Sequence, residues 1–264
     1  MTPPIADLFL AIDVGNTNIV CALHDGVQWH APTRTVTMPA LSDPALEAML
    51  RAVCAASRVA ATQIAGIGVA SVVPSLDAAL HTAVQRVCTR SAVFVTPANY
   101  PHPIRYPLPH EIGADRLADA AAALAQFGAP ALVIDFGTAT TFDYLDASGA
   151  YCGGPIAPGV HLSQEALSRA AAKLPEIAFA RPAGLIPHTT VEAMQAGLYY
   201  GAVGAVDGIV ERMLTEIGAS PQLIATGGLA PVICPHLRYP TTIAPLLTLE
   251  GIRLLTAMRA SESP

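Results

Sequence analysis

Asp13-Val14-Gly15-Asn16-Thr17-Asn18 and, about 120 residues later, Asp135-Phe136-Gly137-Thr138-Ala139-Thr140-Thr141-Phe142-Asp143 decide how this chain is read. Each starts on an aspartate that closes an apolar run, passes a glycine, and continues in hydroxyl or amide side chains. Residues 7–14 ahead of the first stretch read as a short buried strand, and residues 131–136 ahead of the second do the same. Beyond them, 19–24 and 27–30 flank Asp25-Gly26, while 139–145 and 150–152 flank Asp146-Ala147-Ser148-Gly149, two hairpin signals. Strand, Asp-x-Gly, polar turn and hairpin therefore occur twice. That is an internal repeat on the scale of a domain.

The segments between these elements fill in an α/β pattern. Helices are expected at 44–58, 75–88, 114–127, 162–173, 190–217 and 248–259, with further strands at 64–73 and 92–95. A connection rich in proline runs from Pro97 to Gly113, and a long irregular loop of that kind is usually functional or a linker. The expectation is two related domains, 1–128 and 129–264, with a ligand in the cleft between them.

Composition narrows the function. The chain has 264 residues, enough to bury a sizeable core. Hydrophobic residues make up 52% and charged residues 13%, which excludes disorder. The mean hydropathy of +0.46 raises the question of a membrane span. The longest uncharged stretch, Ile217 to Leu237, is broken by Pro221, Gly227, Gly228, Pro231 and Pro235, so no span is expected. A net charge of −6 and the lack of a basic run argue against a nucleic-acid partner. The five cysteines are widely spaced and form no C-x-x-C, so neither a disulfide framework nor a zinc ribbon is expected. The N-terminus has no basic n-region, which points to a cytoplasmic protein. Lys173 is the sole lysine, which removes the P-loop and protein-kinase schemes.

Four segments can carry chemistry. In the first turn, Gly15 allows close backbone approach, and Asn16, Thr17 and Asn18 offer donors that suit phosphate oxygens. Asp13 suits a hydrated Mg²⁺. Gly137 and Thr138 can cradle a second phosphate, and Asp135, at the end of a buried strand, could hold a cation. An ordinary polar hairpin turn would also account for either stretch alone; their repetition favours the functional reading. In Ala225-Thr226-Gly227-Gly228-Leu229-Ala230, the two glycines would let a flat base lie against the backbone, although a tight strand-to-helix turn explains them equally well. In Glu111-Ile112-Gly113-Ala114-Asp115-Arg116, a helix opens on adjacent charges. Asp115 could accept a proton from a substrate hydroxyl and Arg116 could bind a carboxylate, or the two could form a plain salt bridge at a helix start.

Taken in order, these segments resemble the type III pantothenate kinase family, of the acetate and sugar kinase/actin/heat-shock chaperone ATPase superfamily. The resemblance continues through Gly153-Gly154-Pro155-Ile156-Ala157-Pro158-Gly159, Thr190-Val191-Glu192-Ala193-Met194-Gln195-Ala196-Gly197 and Leu247-Thr248-Leu249-Glu250-Gly251. It implies two RNase H-like domains of mixed β-sheet flanked by helices. It also implies ATP-dependent phosphorylation of pantothenate to 4'-phosphopantothenate, the first step of coenzyme A biosynthesis.

By resemblance, Asp13, Val14, Gly15, Asn16, Thr17, Asn18, Ile19 and Val20 bind the phosphates of ATP, with Mg²⁺, and Thr138 contacts ATP. Asp115 is the proton acceptor. Tyr106, Gly113, Ala114, Asp115 and Arg116 contact pantothenate, and Thr190 does so across a homodimer interface. Asp135 is a ligand for a monovalent cation, K⁺ or NH₄⁺. Leu108-Pro109-His110, Pro187-His188-Thr189 and Trp29-His30 depart from the family pattern. Two other readings stand beside this one: a related small-acid phosphotransferase or phosphohydrolase of the superfamily, and a non-enzymatic nucleotide-binding regulator.

Overall fold

The computed structural model describes residues 8–38, 41–171 and 173–262. It divides the chain into two compact units, 1–126 with 246–264, and 127–245.

The first unit is built on β1 (Leu8–Val14), whose residues alternate between two buried faces. Leu10, Ile12 and Val14 enter one core, while Ala11 is equally buried on the other side. A strand covered on both faces reads as a continuous apolar run, which is why this one was legible in the sequence. The chain then turns into β2 (Asn18–His24), antiparallel to β1, and β3 (Thr33–Val36), antiparallel to β2. Helix α1 (Asp43–Ala56) leads to β4 (Ile64–Ser71), parallel to β1. Helix α2 (Pro74–Cys88) leads to β5 (Val93–Phe94), parallel to β4, and α3 (Ala114–Phe127) follows the proline-rich connection. The sheet order is β3-β2-β1-β4-β5.

The second unit repeats this plan. β6 (Ala131–Phe136) and β7 (Ala139–Leu145) form the antiparallel pair. β8 (Tyr151–Gly153) and β9 (Ile156–Pro158) both pair antiparallel with β7. Helices α4 (Val160–Ala170) and α5 (Thr190–Ile217) lead to β10 (Gln222–Thr226), parallel to β6. The short α6 (Ala230–Ile233) and β11 (Thr242–Ile243), parallel to β10, complete a sheet of order β11-β10-β6-β7-β8. In each unit a central strand takes an antiparallel hairpin on one side and strands that return in parallel on the other. The internal repeat seen in the sequence is thus a repeat of topology.

Helix α7 (Leu247–Glu262) packs on β1 and β4 of the first unit. The contact is close because β4 offers glycine there: a Cβ at Gly68 would lie 2.3 Å from Thr256 Oγ1 and 2.6 Å from Ile252 Cγ2. On the next turn of contact, Gly251 lies directly against the backbone of Ala118 in α3. The described residues from 246 to 262, expected with the second domain, therefore belong to the first unit.

The expected strand at 27–30 is replaced by a single bridge between His24 and Trp29, and the third strand begins at Thr33. The cause is the turn. Asp25 Oδ1 accepts from the amides of Val27 and Gln28, and Asp25 N–H donates to the Gln28 carbonyl, so those residues are spent in the loop. Asp146 does the same at the second hairpin, accepting from Ser148 and Ala150. Helix α4 starts two residues earlier than its apolar pattern suggested, at a Gly159 N-cap. All five cysteines are free, and Cys21, Cys54, Cys88 and Cys234 are buried. No described helix is long and apolar enough to cross a membrane.

Candidate active site

In the first unit, Asp13 sits next to last in β1, paired with Val20 of β2 and Ala70 of β4. Being flanked by strands on both sides fixes its backbone. Its carboxylate is half-buried at the sheet's end, while Asn16 and Thr17 beyond it are exposed. The turn closes through Gly15 N–H to the Asn18 carbonyl, 3.0 Å. Two further bonds reach the turn from Thr37, a residue outside the motif: its hydroxyl donates to the Gly15 carbonyl at 2.7 Å, and its amide donates to the Thr17 carbonyl at 2.9 Å. The side chains of Val14 and Ile19 belong to the hydrophobic core, so only their backbone faces the turn.

The same end of the sheet receives the start of α3. Val72 donates its amide to the Val14 carbonyl, extending the β1–β4 ladder past Ser71 by one step, 3.0 Å. A Cβ placed on Gly113 would lie 3.5 Å from Val72 Cγ1 and only 2.4 Å from Asp115 Oδ1. Val72 thus lies between the polar turn and the segment Gly113–Arg116, and glycine at 113 leaves the space that the Asp115 carboxylate fills. That carboxylate accepts from the Arg116 amide at 2.8 Å. Burial raises the Asp115 pKa above the ordinary carboxylate value, while the Arg116 amide and guanidinium pull it down. Arg116 itself is 8% exposed. Tyr106 is half-buried in the proline-rich connection.

In the second unit, Asp135 is paired with Thr141 of β7 and Thr226 of β10. Its carboxylate fits between two glycines. A Cβ on Gly137 would stand 3.2 Å from Asp135 Oδ2, and one on Gly227 would stand 2.5 Å from Asp135 Oδ1. Gly227 also has φ of +87°, a left-handed conformation that favours glycine. Gly228 beside it faces open space. The second turn closes through Gly137 N–H to the Ala139 carbonyl, 3.0 Å, and the Gly159 amide donates to the Thr138 carbonyl, 3.2 Å. Gly137 and Thr138 are exposed. Thr190 is the exposed first residue of α5, just after a Thr189–Glu192 capping box.

The structure therefore brings the first turn and Asp115 together in one unit, and Asp135, the second turn and Gly227 together in the other. Asp13 has the chemistry for Mg²⁺ held through water, a carboxylate at a strand end beside exposed donors. Asp135, cleared by Gly137 and Gly227, has the chemistry for a cation beside the second turn. Among the described residues, no group of three or more His, Cys, Asp or Glu comes together as a transition-metal site would require. The sequence reading missed Thr37. The signal available to it was the alternation of Thr33, Thr35 and Thr37.

The family model for type III pantothenate kinase matches residues 9–212. A type III pantothenate kinase of Anaeromyxobacter sp. (strain K) is 41% identical over 249 residues, 94% of this chain and 98% of its own length. Of solved structures, the inorganic polyphosphate/ATP-glucomannokinase of an Arthrobacter species aligns with a TM-score of 0.51 at 17% identity, over 96% of this chain and 99% of that one. MreB5 of Spiroplasma citri, bound to AMPPNP, aligns with a TM-score of 0.55 at 11% identity, over 98% of each. At such low identity the two structures speak for the fold alone, two mixed sheets flanked by helices.

Proposed function

The chain belongs to the type III pantothenate kinase family, and we propose a specific division of labour for its phosphorylation of pantothenate with ATP, the entry step to coenzyme A. Residues 13–20, with Thr138, bind the ATP phosphates through backbone amides and short polar side chains. Gly227 and Gly228 receive the adenosine portion. Asp115 accepts the proton of pantothenate's primary hydroxyl as that oxygen attacks the γ-phosphoryl group, whose bond to the bridging oxygen breaks and releases ADP. Gly113, Ala114, Arg116 and Tyr106 contact pantothenate. Mg²⁺ at Asp13 and a K⁺ or NH₄⁺ at Asp135 supply positive charge that offsets the phosphates.

The observation that carries this reading is the juxtaposition through Val72. Phosphoryl transfer needs positioning and charge neutralisation more than covalent chemistry. One side chain lies against Gly113 and its amide continues the strand that ends in the polar turn. Asp115, at the start of α3, and the first turn are thereby held at the same end of one sheet, which supports the roles proposed for them. The raised Asp115 pKa supports the role, since a carboxylate destabilised by burial is a stronger base than one in water.

The protein works in the cytoplasm as a homodimer, with Thr190 contacting pantothenate bound by the partner copy. Exposed Leu185 and Ile186, close to Thr190 in sequence, support an interface there. Sedimentation at micromolar concentration tests the dimer; a monomer would refute it.

The test of the reaction is ADP release from purified protein with Mg²⁺-ATP, with and without pantothenate and with or without K⁺ or NH₄⁺. Release that requires both pantothenate and the monovalent cation is the expected result. Release without pantothenate identifies a phosphohydrolase. Turnover that ignores the cation removes the role given to Asp135.

A further inference from the structure

The polar turn at Gly15–Asn18 is held from outside by one residue. β3 ends with Val36 opposite Asn18, the last step of its ladder with β2. At Thr37 the chain leaves the ladder and folds onto the turn, donating its hydroxyl to the Gly15 carbonyl and its amide to the Thr17 carbonyl, at 2.7 and 2.9 Å. The Asn18 carbonyl is taken by the Gly15 amide. Three carbonyls of the turn are thus engaged within the protein.

This has an electrostatic consequence. A trans peptide is planar, and its N–H points opposite to its C=O. With the Gly15 carbonyl drawn onto Thr37, the Asn16 amide faces away from Thr37; with the Thr17 carbonyl drawn the same way, so does the Asn18 amide. A phosphate is attracted by amide hydrogens and repelled by carbonyl oxygens. The chain has one lysine, Lys173, and it belongs to the second unit.

We infer that Thr37 is a positioning residue for ATP: it holds the carbonyls of the first turn away so that the amide side of the turn receives phosphate. The inference rests on the proposal that residues 13–20 bind the ATP phosphates. It adds a residue of no recognisable motif, acting through Gly15 and Thr17 rather than touching substrate.

Three variants test it by steady-state kinetics in both substrates. Thr37→Val removes the hydroxyl at nearly constant volume and keeps the amide bond to Thr17. Loss of one hydrogen bond that orients the turn corresponds to a rise of about fivefold to tenfold in KM for ATP. KM for pantothenate should stay within about twofold, since Asp115 and its neighbours are untouched. Thr37→Ser restores the hydroxyl and should bring KM for ATP back to within about twofold of the parent. A purely structural role would lower the melting temperature of Thr37→Val without this split between the two substrates. Asn16→Asp places a negative charge on an exposed turn residue and should raise KM for ATP whatever Thr37 does. If Asn16→Asp weakens ATP and Thr37→Val does not, the inference about Thr37 is wrong and the phosphate turn stands. If neither variant changes KM for ATP, the phosphate assignment of the turn fails and the inference falls with it.

Discussion

Gly227 and Gly228 are neighbours with opposite surroundings, and alanine at each should give opposite results. At 227 the backbone has φ of +87°, where a residue with a Cβ is disfavoured by about 1–2 kcal/mol. The new Cβ would also stand 2.5 Å from Asp135 Oδ1 and 2.6 Å from the carbonyl carbon and oxygen of Phe136. A flexible side chain could yield, but the Phe136 backbone is locked in a ladder with Thr140 of β7. The turn after β10 must therefore retreat from β6, an overpacking cost of about 1–3 kcal/mol. Together these give about 2–5 kcal/mol. At about 2–4 °C per kcal/mol for a chain of this size, Gly227→Ala should lower the melting temperature by roughly 4–20 °C. Gly228→Ala meets nothing within 4 Å and should stay within about 2 °C of the parent. Thermal melts of the two variants followed by circular dichroism are the assay. The same displacement moves the Asp135 carboxylate, so, on the proposal that Asp135 holds a monovalent cation, surviving Gly227→Ala enzyme should need more K⁺ for half-maximal rate. Equal melting temperatures for the two variants would refute the clearance argument, and unchanged K⁺ activation would refute its link to Asp135.

Asp115→Asn should lower turnover by about a hundredfold or more, with the ATP dissociation constant nearly unchanged by calorimetry. Because burial raises the Asp115 pKa, the ionised form is disfavoured in the fold; stability from this residue is present at low pH and lost as pH rises through the raised pKa, so Asp115→Asn should melt higher than the parent at neutral pH. The acid limb of kcat/KM should for the same reason lie above that of an ordinary aspartate. Gly251→Ala would place a Cβ closer than 2 Å to the Ala118 carbonyl oxygen, forcing α7 off α3; a loss of about 3 kcal/mol or more should appear as poor soluble yield or a strongly lowered melting temperature. Trp29, the sole tryptophan, donates Nε1–H to Glu250, which also pairs with Arg253 at 2.6 Å. Glu250→Ala should therefore shift the intrinsic fluorescence of the folded protein, and an unchanged spectrum would argue against that contact.

What could be read from the sequence was whatever a local pattern determines. β1 and β6 are apolar runs closed by aspartate, and both stand where their residues place them. α5 announces its start with Thr189 and Glu192 and its end with Gly218, whose left-handed φ of +65° stops the helix. The third strand was misplaced because Asp25 captures two amides, which draws Val27 and Gln28 into the turn, and nothing in residue types alone says how many residues an Asx turn will take. α7 was assigned to the wrong unit because proximity in sequence is no guide to packing. Its place is set by Gly68 and Gly251, two positions where a missing Cβ lets backbones approach. The fit of Asp135 against Gly227, about 90 residues apart in the chain, was invisible for the same reason. Thr37 was hidden because its contribution is one hydroxyl and one amide reaching into a motif to which it does not belong.

The distribution of charge bears on the cations proposed at Asp13 and Asp135. Asp13 and Asp135 each stand next to last in the central strand of their own unit, beside a polar turn proposed to bind phosphate. Two like charges at 4 Å repel by about 1 kcal/mol in water and about 4 kcal/mol at the effective dielectric of a protein surface. Lys173 is the only lysine, and the chain as a whole carries −6. A carboxylate beside a phosphate works against binding, and a cation held by the carboxylate would offset that repulsion, which is the part proposed for Mg²⁺ at Asp13. Replacing Asp13 with Asn should then weaken Mg²⁺-dependent ATP binding, although it removes a negative charge from an anion site. If the aspartate were merely structural, the same change would strengthen ATP binding in the absence of Mg²⁺ and leave its Mg²⁺ dependence untouched. Titrating ATP into the Asn variant with and without Mg²⁺ separates the two cases by the sign of the change.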